Sequence, residues 1–344
     1  MDFEFSDEQR LLKDSVERLI ADRYGFEQRK KYMAEPDGFS AEIWAQYAEL
    51  GLLGLPFPEA QGGFGGGPVE TMIVMEAFGR GLILEPYFAT VILGGGVLRH
   101  GATDAQREAI LPAVANGKMK LALAHVERSS RYNLADVTTM ATRDGAGWKL
   151  NGAKSVVLHG DCADKIFVSA RSSGYPRDRD GIGLFLIDAD APGVTRRGYP
   201  TQDGMRAAEL SLVNVSVSSD NVIGDPAGGL PVLERVIDEA IAALAAEGVG
   251  IMSAMHDLTL EYLKTRKQFG RAIGEFQVLQ HRSVDMFVQL EQARSITLYG
   301  TMMASDDDPT ERRRAYFLCH GNILAGWRRV AARMIVHQDD RRGV

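Results

Sequence analysis

Apolar residues recur at helical spacing through the first third of the chain. Leu11, Leu12, Val16, Leu19 and Ile20 follow Ser6. Ser6 and Gln9 fit a capping box, in which a hydroxyl and an amide satisfy each other's free backbone donors. The pattern predicts further helices over Ala41–Leu50, Val69–Arg80 and Glu85–His100, and one from Thr103 to a stop at Gly117. From about residue 119 the period shortens. Lys149–Gly152, Lys165–Ser169, Gly183–Ile187 and Leu210–Val217 are β-type runs split by Gly, Asp and Pro. No helical pattern alternates with them, which argues against a parallel βαβ sheet. Helical spacing returns over Leu230–Thr265 and Phe276–Ala304, and Asp306-Asp-Asp-Pro309 precedes a last helix near Thr310. The reading is an α+β chain: an N-terminal α-helical domain over 1–118, a compact antiparallel, β-barrel-like middle domain over 119–225, and a C-terminal helical bundle over 226–344.

One charge interrupts this pattern. Glu247 is the only ionisable side chain in Ile241–Met255, and one turn away it meets Ala243, Leu244, Gly250 and Ile251. A helix apolar all round is buried. A carboxylate buried without a partner raises its pKa, and a carboxyl tuned upward in a dry site suits a general acid or base. The competing reading pairs Glu247 with an Arg or Lys from another element.

The 344 residues are 45% hydrophobic and 25% charged, ordinary for a soluble globular protein of two or three domains. A net charge of −7 gives no broad basic footprint for nucleic acid. Cys162 and Cys319 lie far apart, which suggests a reducing compartment rather than a disulfide framework or a zinc site. The acidic N-terminus lacks the apolar core of a signal peptide. The run around Glu247 is too short for a bilayer span, so a cytoplasmic protein is expected.

Gly62-Gly-Phe-Gly-Gly-Gly67 follows no strand pattern and precedes no Gly-Lys-Ser/Thr, so it reads as a flexible connection between helices, not a phosphate loop. Gly94-Gly-Gly96 marks a kink or a close helix contact. Histidines at metal spacing and a Gly-x-Ser-x-Gly elbow are absent. Arg266-Lys-Gln-Phe-Gly270 lies at a helix end, where a basic cluster favours the dipole. An Arg beside an aromatic can also clamp a dinucleotide pyrophosphate.

Together these segments resemble the acyl-CoA dehydrogenases. The resemblance rests on Phe5-Ser-Asp-Glu-Gln9, Leu50-Gly-Leu-Leu-Gly-Leu55, Pro58-Glu-Ala-Gln-Gly-Gly63, Glu76-Ala-Phe-Gly-Arg80 and Leu150-Asn-Gly-Ala-Lys154. Most specific is Arg266-x-x-Phe-Gly-x-x-Ile-x-x-Phe-Gln277. It implies an FAD enzyme that converts an acyl-CoA thioester to the 2-enoyl-CoA. A carboxylate takes the α-proton, a hydride passes from the β-carbon to the flavin, and an electron acceptor such as electron-transfer flavoprotein follows. It also implies that Arg266 and Phe269 contact FAD across a subunit interface, with Gln268 and Gln277 in the same motif. The active unit is then at least a dimer, homo-oligomeric or formed with a related subunit. Family members carry the base in a C-terminal loop or at the position matching Ala240. Those resembling pimeloyl-CoA and steroid-side-chain dehydrogenases carry it at the position matching Glu247, which makes Glu247 the catalytic candidate ahead of Asp238 and Glu239.

The departures are specific. A Thr-Glu-Pro flavin strand is replaced by Val126-Glu-Arg128, and a Trp-x-Thr contact by Val156-Val-Leu158. The Arg expected after the Ala240 position is Ile241. The family's Gly-Gly segment near the C-terminus is not found after Arg314, and Arg328, Arg329, Arg333, Arg341 and Arg342 make the tail basic. The expectation is an atypical, truncated C-terminus arising from a reading-frame change near residue 315. Rival functions on the same fold are a flavin oxidase or monooxygenase and a non-catalytic partner subunit.

Overall fold

The computed structural model of the protein describes residues 5–316. The basic tail, Cys319, His320 and the expectation of a truncated C-terminus fall outside the described residues. The N-terminal helices are α1 (Asp7–Arg23), α2 (Phe26–Met33), α3 (Ala41–Glu49), α4 (Pro68–Gly81), α5 (Gly95–Gly101) and α6 (Asp104–Ala115), with a π-helical stretch, Phe88–Gly94, leading into α5. The strands are β1 (Leu121–Ala124), β2 (Met140–Asp144), β3 (Gly147–Leu158), β4 (Lys165–Arg171), β5 (Ile182–Asp188), β6 (Val194–Pro200), β7 (Arg206–Val217) and β8 (Val222–Ile223). Then come α7 (Leu230–Thr265), the two-residue strands β9 (Lys267–Gln268) and β10 (Arg271–Ala272), and α8 (Gln277–Met303). The helical–β–helical order is the one the sequence pattern predicts. Among the described residues, no helix is long and apolar enough to cross a membrane.

Capping chemistry explains the helix starts. Ser6 Oγ accepts from the Gln9 backbone N–H at 3.2 Å, and Gln9 Oε1 accepts from Ser6 N–H at 3.0 Å. Thr103 and Gln106 repeat the box at α6. Helix α2 is absent from the hydrophobic pattern because it has no apolar stripe: Tyr32 alone is buried and Phe26 faces solvent. The Gly62–Gly67 loop does connect helices, but its expected flexibility is corrected. Backbone N–H groups of Gly63, Phe64, Gly65 and Gly66 donate to carbonyls of Pro58, Gly54, Phe57 and Leu55. A Cβ on Gly63 would lie 2.1 Å from the Phe57 carbonyl oxygen, so only glycine permits that approach. The Gly94–Gly96 run is close packing of the same kind, against Leu121, Phe57 and Val236.

The strands follow the order β6-β7-β3-β2-β4-β5-β8, with β1 beside β4. Most pairs are antiparallel, but β1 and the Met140 end of β2 run parallel to β4. These pairings come from long excursions of the chain and not from βαβ helices. Leu150, Ile166, Val168, Phe185 and Leu210 centre the sheet's apolar core.

That core also holds an ion pair. Lys154 Nζ, fully buried on β3, donates to Glu127 Oε1 at 2.7 Å and to Ser169 Oγ at 3.0 Å. Glu127 also accepts from the backbone N–H groups of Thr138 at 2.9 Å and Thr139 at 3.0 Å, and from the Thr138 hydroxyl. Burial alone would raise the Glu127 pKa, but the ammonium and the three further donors hold it well below the ordinary range. Burial pushes Lys154 down, and Glu127 opposes that. The pair ties the end of β1 to β3, beside the Ser155 N–H bond to the Val126 carbonyl at 2.9 Å.

By packing, the chain divides into two compact units. One comprises Met1–Gly25, Pro68–Ile83 and Ile241–Val344, and the other Phe26–Gly67 and Leu84–Ala240.

Removing one partner of the buried pair leaves the other charge uncompensated, so Lys154→Met should cost about 3–5 kcal/mol. Folded Glu127 keeps its charge below the ordinary value of 4.5. As pH falls through that value the unfolded state binds more protons, and stability declines. The double variant Glu127→Gln/Lys154→Met should lose less stability between about pH 5 and pH 2.5 in urea titrations. An unchanged pH slope would refute the assignment.

Candidate active site

Glu247 sits where two helices touch through their backbones. A Cβ added to Gly79 of α4 would lie 2.0 Å from the Glu247 carbonyl oxygen, and one added to Gly250 of α7 would lie 2.0 Å from the Glu76 carbonyl oxygen. Each helix offers a glycine to the other's main chain, so α4 and α7 approach more closely than side chains allow. The flanking residues lock the crossing. Arg80 Nη1 donates to Ser253 Oγ at 2.5 Å, and Arg80 Nη2 pairs with Asp257 at 2.9 Å. Glu76 pairs with Arg294 of α8. Thus the Glu76-Ala-Phe-Gly-Arg80 segment reads as a strut with one contact to α8, one glycine at the crossing and one arginine on α7.

The environment expected for Glu247 needs correction. The residue is half-buried and not without an interaction partner. The physical reason is that α7 is not covered all round: Leu244 is 46% exposed and Ile251 half-buried, while Ala243 and Gly250 are buried.

The other α7 carboxylates are sorted by their partners. Glu239 pairs with Arg99 at 2.7 Å and with His100 Nε2 at 2.7 Å. Burial raises its pKa, but these contacts outweigh burial and hold it low. It is committed to an ion-pair cluster and is a poor proton acceptor. Asp238 is buried and also engaged. Ala240 is 3% exposed and leaves its helix position without a carboxylate.

Arg266, Gln268 and Phe269 come together on the β9–β10 hairpin, and Gln277 opens α8 just beyond it. All four are exposed, Phe269 at 91%. The hairpin turns through Phe269 at φ 53° and Gly270 at φ 81°. Two positive φ values suit a tight two-residue turn, but for a bulky aromatic the first is strained by about 1–3 kcal/mol. Ile273 N–H closes the hairpin base on the Arg266 carbonyl at 2.8 Å. Arg271 stacks on Phe276 at 4.4 Å, and Phe269 meets Phe276 edge-on at 6.2 Å. This hairpin does not join Glu247 in one site. Eighteen residues of α7 separate Glu247 from Thr265, a helical rise of about 27 Å.

A cleft of about 520 Å³ opens on the sheet beside the two departing segments. Glu127, Arg128 and Ser129 line it from the loop after β1, Ala153 and Ser155 from β3, and Arg197 from β6. Glu209 of β7 lies within it and accepts from Ser155 Oγ at 2.9 Å and Tyr199 Oη at 3.2 Å. Burial raises its pKa, but these bonds, the Val156 backbone N–H and nearby Arg128 hold it low. Val156 stands at a bulge in the β3–β7 register with φ 52° and points outward, 48% exposed. Sequence reasoning missed Glu209 and Arg197, and it named Gly79 and Gly250 without their part in the helix crossing. The sole signal was two glycines placed in otherwise good helix sequence.

The family models for the N-terminal, middle and C-terminal domains of acyl-CoA dehydrogenase match residues 6–118, 122–216 and 227–318, and the chain belongs to that family. Probable acyl-CoA dehydrogenase YngJ of Bacillus subtilis is 28% identical over 321 residues, covering 92% of this chain and 84% of that protein. Mitochondrial isovaleryl-CoA dehydrogenase of Solanum tuberosum is 30% identical over 326 residues, 93% and 78% of the two chains. A solved structure described as a steroid ACAD variant superposes with a TM-score of 0.84 at 29% identity, covering 95% of this chain and 85% of that one. The protein is an acyl-CoA dehydrogenase, an oxidoreductase.

Overpacking the crossing tests its role. Gly79→Ala should destabilise the protein by about 1–3 kcal/mol, read from chemical unfolding. A neutral Gly79→Ala would show that the helices can move apart freely.

Proposed function

We propose that the chain dehydrogenates an acyl-CoA at Cα–Cβ with Glu247 as the base. The observation that carries the reading is the placement of Glu247 at the glycine-to-backbone crossing, where the helix cannot slide relative to α4. Glu239 is held as an anion by Arg99 and His100, and Ala240 carries no carboxylate, which supports Glu247 as the α7 residue that takes the α-proton. FAD, when bound, supplies the two-electron acceptor for the hydride released from Cβ as the double bond forms.

The cleft on the sheet balances two cations, Arg128 and Arg197, against two carboxylates, Glu127 and Glu209. The two guanidinium groups and the hydroxyls of Ser129 and Thr195 are the donors it offers to phosphate oxygens. These residues would hold part of the dinucleotide. Arg266, Gln268, Phe269 and Gln277 would meet FAD from a second subunit, since about 27 Å of helix separates them from the same chain's Glu247. Exposed apolar side chains on the C-terminal helices support an oligomer with a second copy or a related chain: Leu258 and Tyr262 on α7, and Val284, Phe287 and Val288 on α8. The acyl-CoA substrate, electron-transfer flavoprotein as acceptor and a cytoplasmic location complete this reading.

A second reading has its own observation. Val156 and Leu158 offer no polar side chain, and Ser155 beside them is given to Glu209. A subunit so built relies on a related partner to retain FAD, and then purifies colourless alone but carries flavin in the complex.

Glu247→Gln should retain flavin yet lose acyl-CoA-dependent bleaching by a factor of about 10²–10⁴. Unchanged bleaching by a flavin-loaded variant would exclude Glu247 as the base.

A further inference from the structure

Arg171 ends β4 and is fully enclosed, 1% exposed. A guanidinium carries five N–H donors in a fixed plane. Here they are spread over six main-chain carbonyls. Nε donates to Val137 at 3.1 Å and Nη2 to Ala135 at 2.8 Å. Nη2 also donates to Pro176 at 3.0 Å and Asp178 at 3.1 Å. Nη1 donates to Asp180 at 3.0 Å and Ser173 at 3.4 Å. The Arg171 backbone N–H donates to the Thr139 carbonyl at 2.7 Å.

These carbonyls belong to two segments. Ser173, Pro176, Asp178 and Asp180 lie in the connection from β4 to β5. Ala135 and Val137 lie in the stretch between β1 and β2, which has no helix or strand of its own. Such a stretch has no ladder to fix it, so its buried carbonyls need donors from elsewhere. Val137 N–H also donates to the Pro176 carbonyl at 2.9 Å, which joins the two segments directly.

The held stretch leads into the sheet cleft. Thr138 follows Val137, lines the cleft, and gives both its backbone N–H and its hydroxyl to Glu127 Oε2. Glu127 in turn opens the turn that brings Arg128 and Ser129 to the cleft. Ser130 pins that turn, its Oγ accepting from the Glu127 N–H at 3.0 Å and donating to the Glu127 carbonyl at 2.9 Å. Contact therefore runs without a gap from the guanidinium through Val137, Thr138 and Glu127 to the cleft donors.

We propose that Arg171 is a positioning residue for the cleft: it fixes Ala135 and Val137, these set Thr138, and Thr138 sets the turn that aims Arg128 and Ser129 at a dinucleotide phosphate. The proposal rests on the reading of the cleft as part of the FAD site. Among the described residues the guanidinium donates to main-chain carbonyls and to no carboxylate. Its contribution is the planar fork, which lysine, a point charge with three donors, does not reproduce.

The test titrates the purified full-length protein, stripped of flavin, with FAD and follows the quenching of flavin fluorescence. Arg171→Lys should weaken FAD binding about ten- to a hundredfold, as when the support behind a metal ligand is lost. It should also change the circular dichroism of the bound flavin. A lower urea midpoint with unchanged FAD affinity of the folded protein would mark a purely structural arginine and overturn the proposal. Arg197→Ala, which removes a cleft cation directly, separates the two readings. Weakened binding in Arg197→Ala with unchanged binding in Arg171→Lys overturns the positioning role alone. Unchanged binding in Arg197→Ala removes the cleft reading and this proposal with it. Should Arg171→Lys fail to give the native far-ultraviolet circular dichroism spectrum, Arg171→Gln serves under the same criteria.

Discussion

The contact between the main chains of α4 and α7 is the constraint on which the candidate active site depends. Gly79 faces the Glu247 carbonyl and Gly250 faces the Glu76 carbonyl, so neither helix can rotate or slide without losing the fit. Ridge-and-groove packing leaves helices several ångströms of side chain to adjust within. A backbone contact leaves none. Arg80 then reaches Ser253 and Asp257 on α7, and Glu76 reaches Arg294 on α8. Five residues of α4 therefore fix two neighbouring helices, and Glu247 inherits its position from glycines that carry no chemistry.

The carboxylates of this chain show how position and not residue type assigns a role. Glu127 is more deeply buried than Glu247, yet Lys154 and the Thr138 and Thr139 donors keep it ionised. It acts as a fixed anion that holds the β1 end against β3. Glu239 lies on the same helix as Glu247 but is held by Arg99 and His100. Glu209 is held by Ser155 and Tyr199. Each of these three is stabilised as an anion and so has little drive to accept a proton.

Much of the fold was legible because it rests on local chemistry. The Ser6 and Thr103 caps, the long α7 and the change to strand period are written in neighbouring residues. Helix α2 was not legible, since a helix with one buried residue has no periodic stripe to display. The environment of Glu247 was only partly legible. An apolar run predicts burial from the sequence of one helix, but exposure at Leu244 depends on where other helices stop. The pairing of Lys154 with Glu127 spans 27 residues and the Gly79–Glu247 contact far more. No window along the chain contains both partners. The hairpin motif was visible as letters, but the positive φ at Phe269 was not, because Gly270 alone announces a turn.

That strained aromatic carries the argument furthest. In an isolated subunit Phe269 meets Phe276 edge-on yet stays 91% exposed, held at φ 53°. Both the exposure and the backbone conformation are unfavourable for it. The cost is recovered when the ring is covered, and Arg266 and Gln268 beside it are exposed donors. Glu247 lies about 27 Å back along α7, too far for the hairpin of its own chain to complete its surroundings. A pairing of subunits in which each hairpin meets the other's cofactor, as proposed above, would cover Phe269 and account for its distance from Glu247. It also gives the exposed apolar side chains of α7 and α8 a surface to meet.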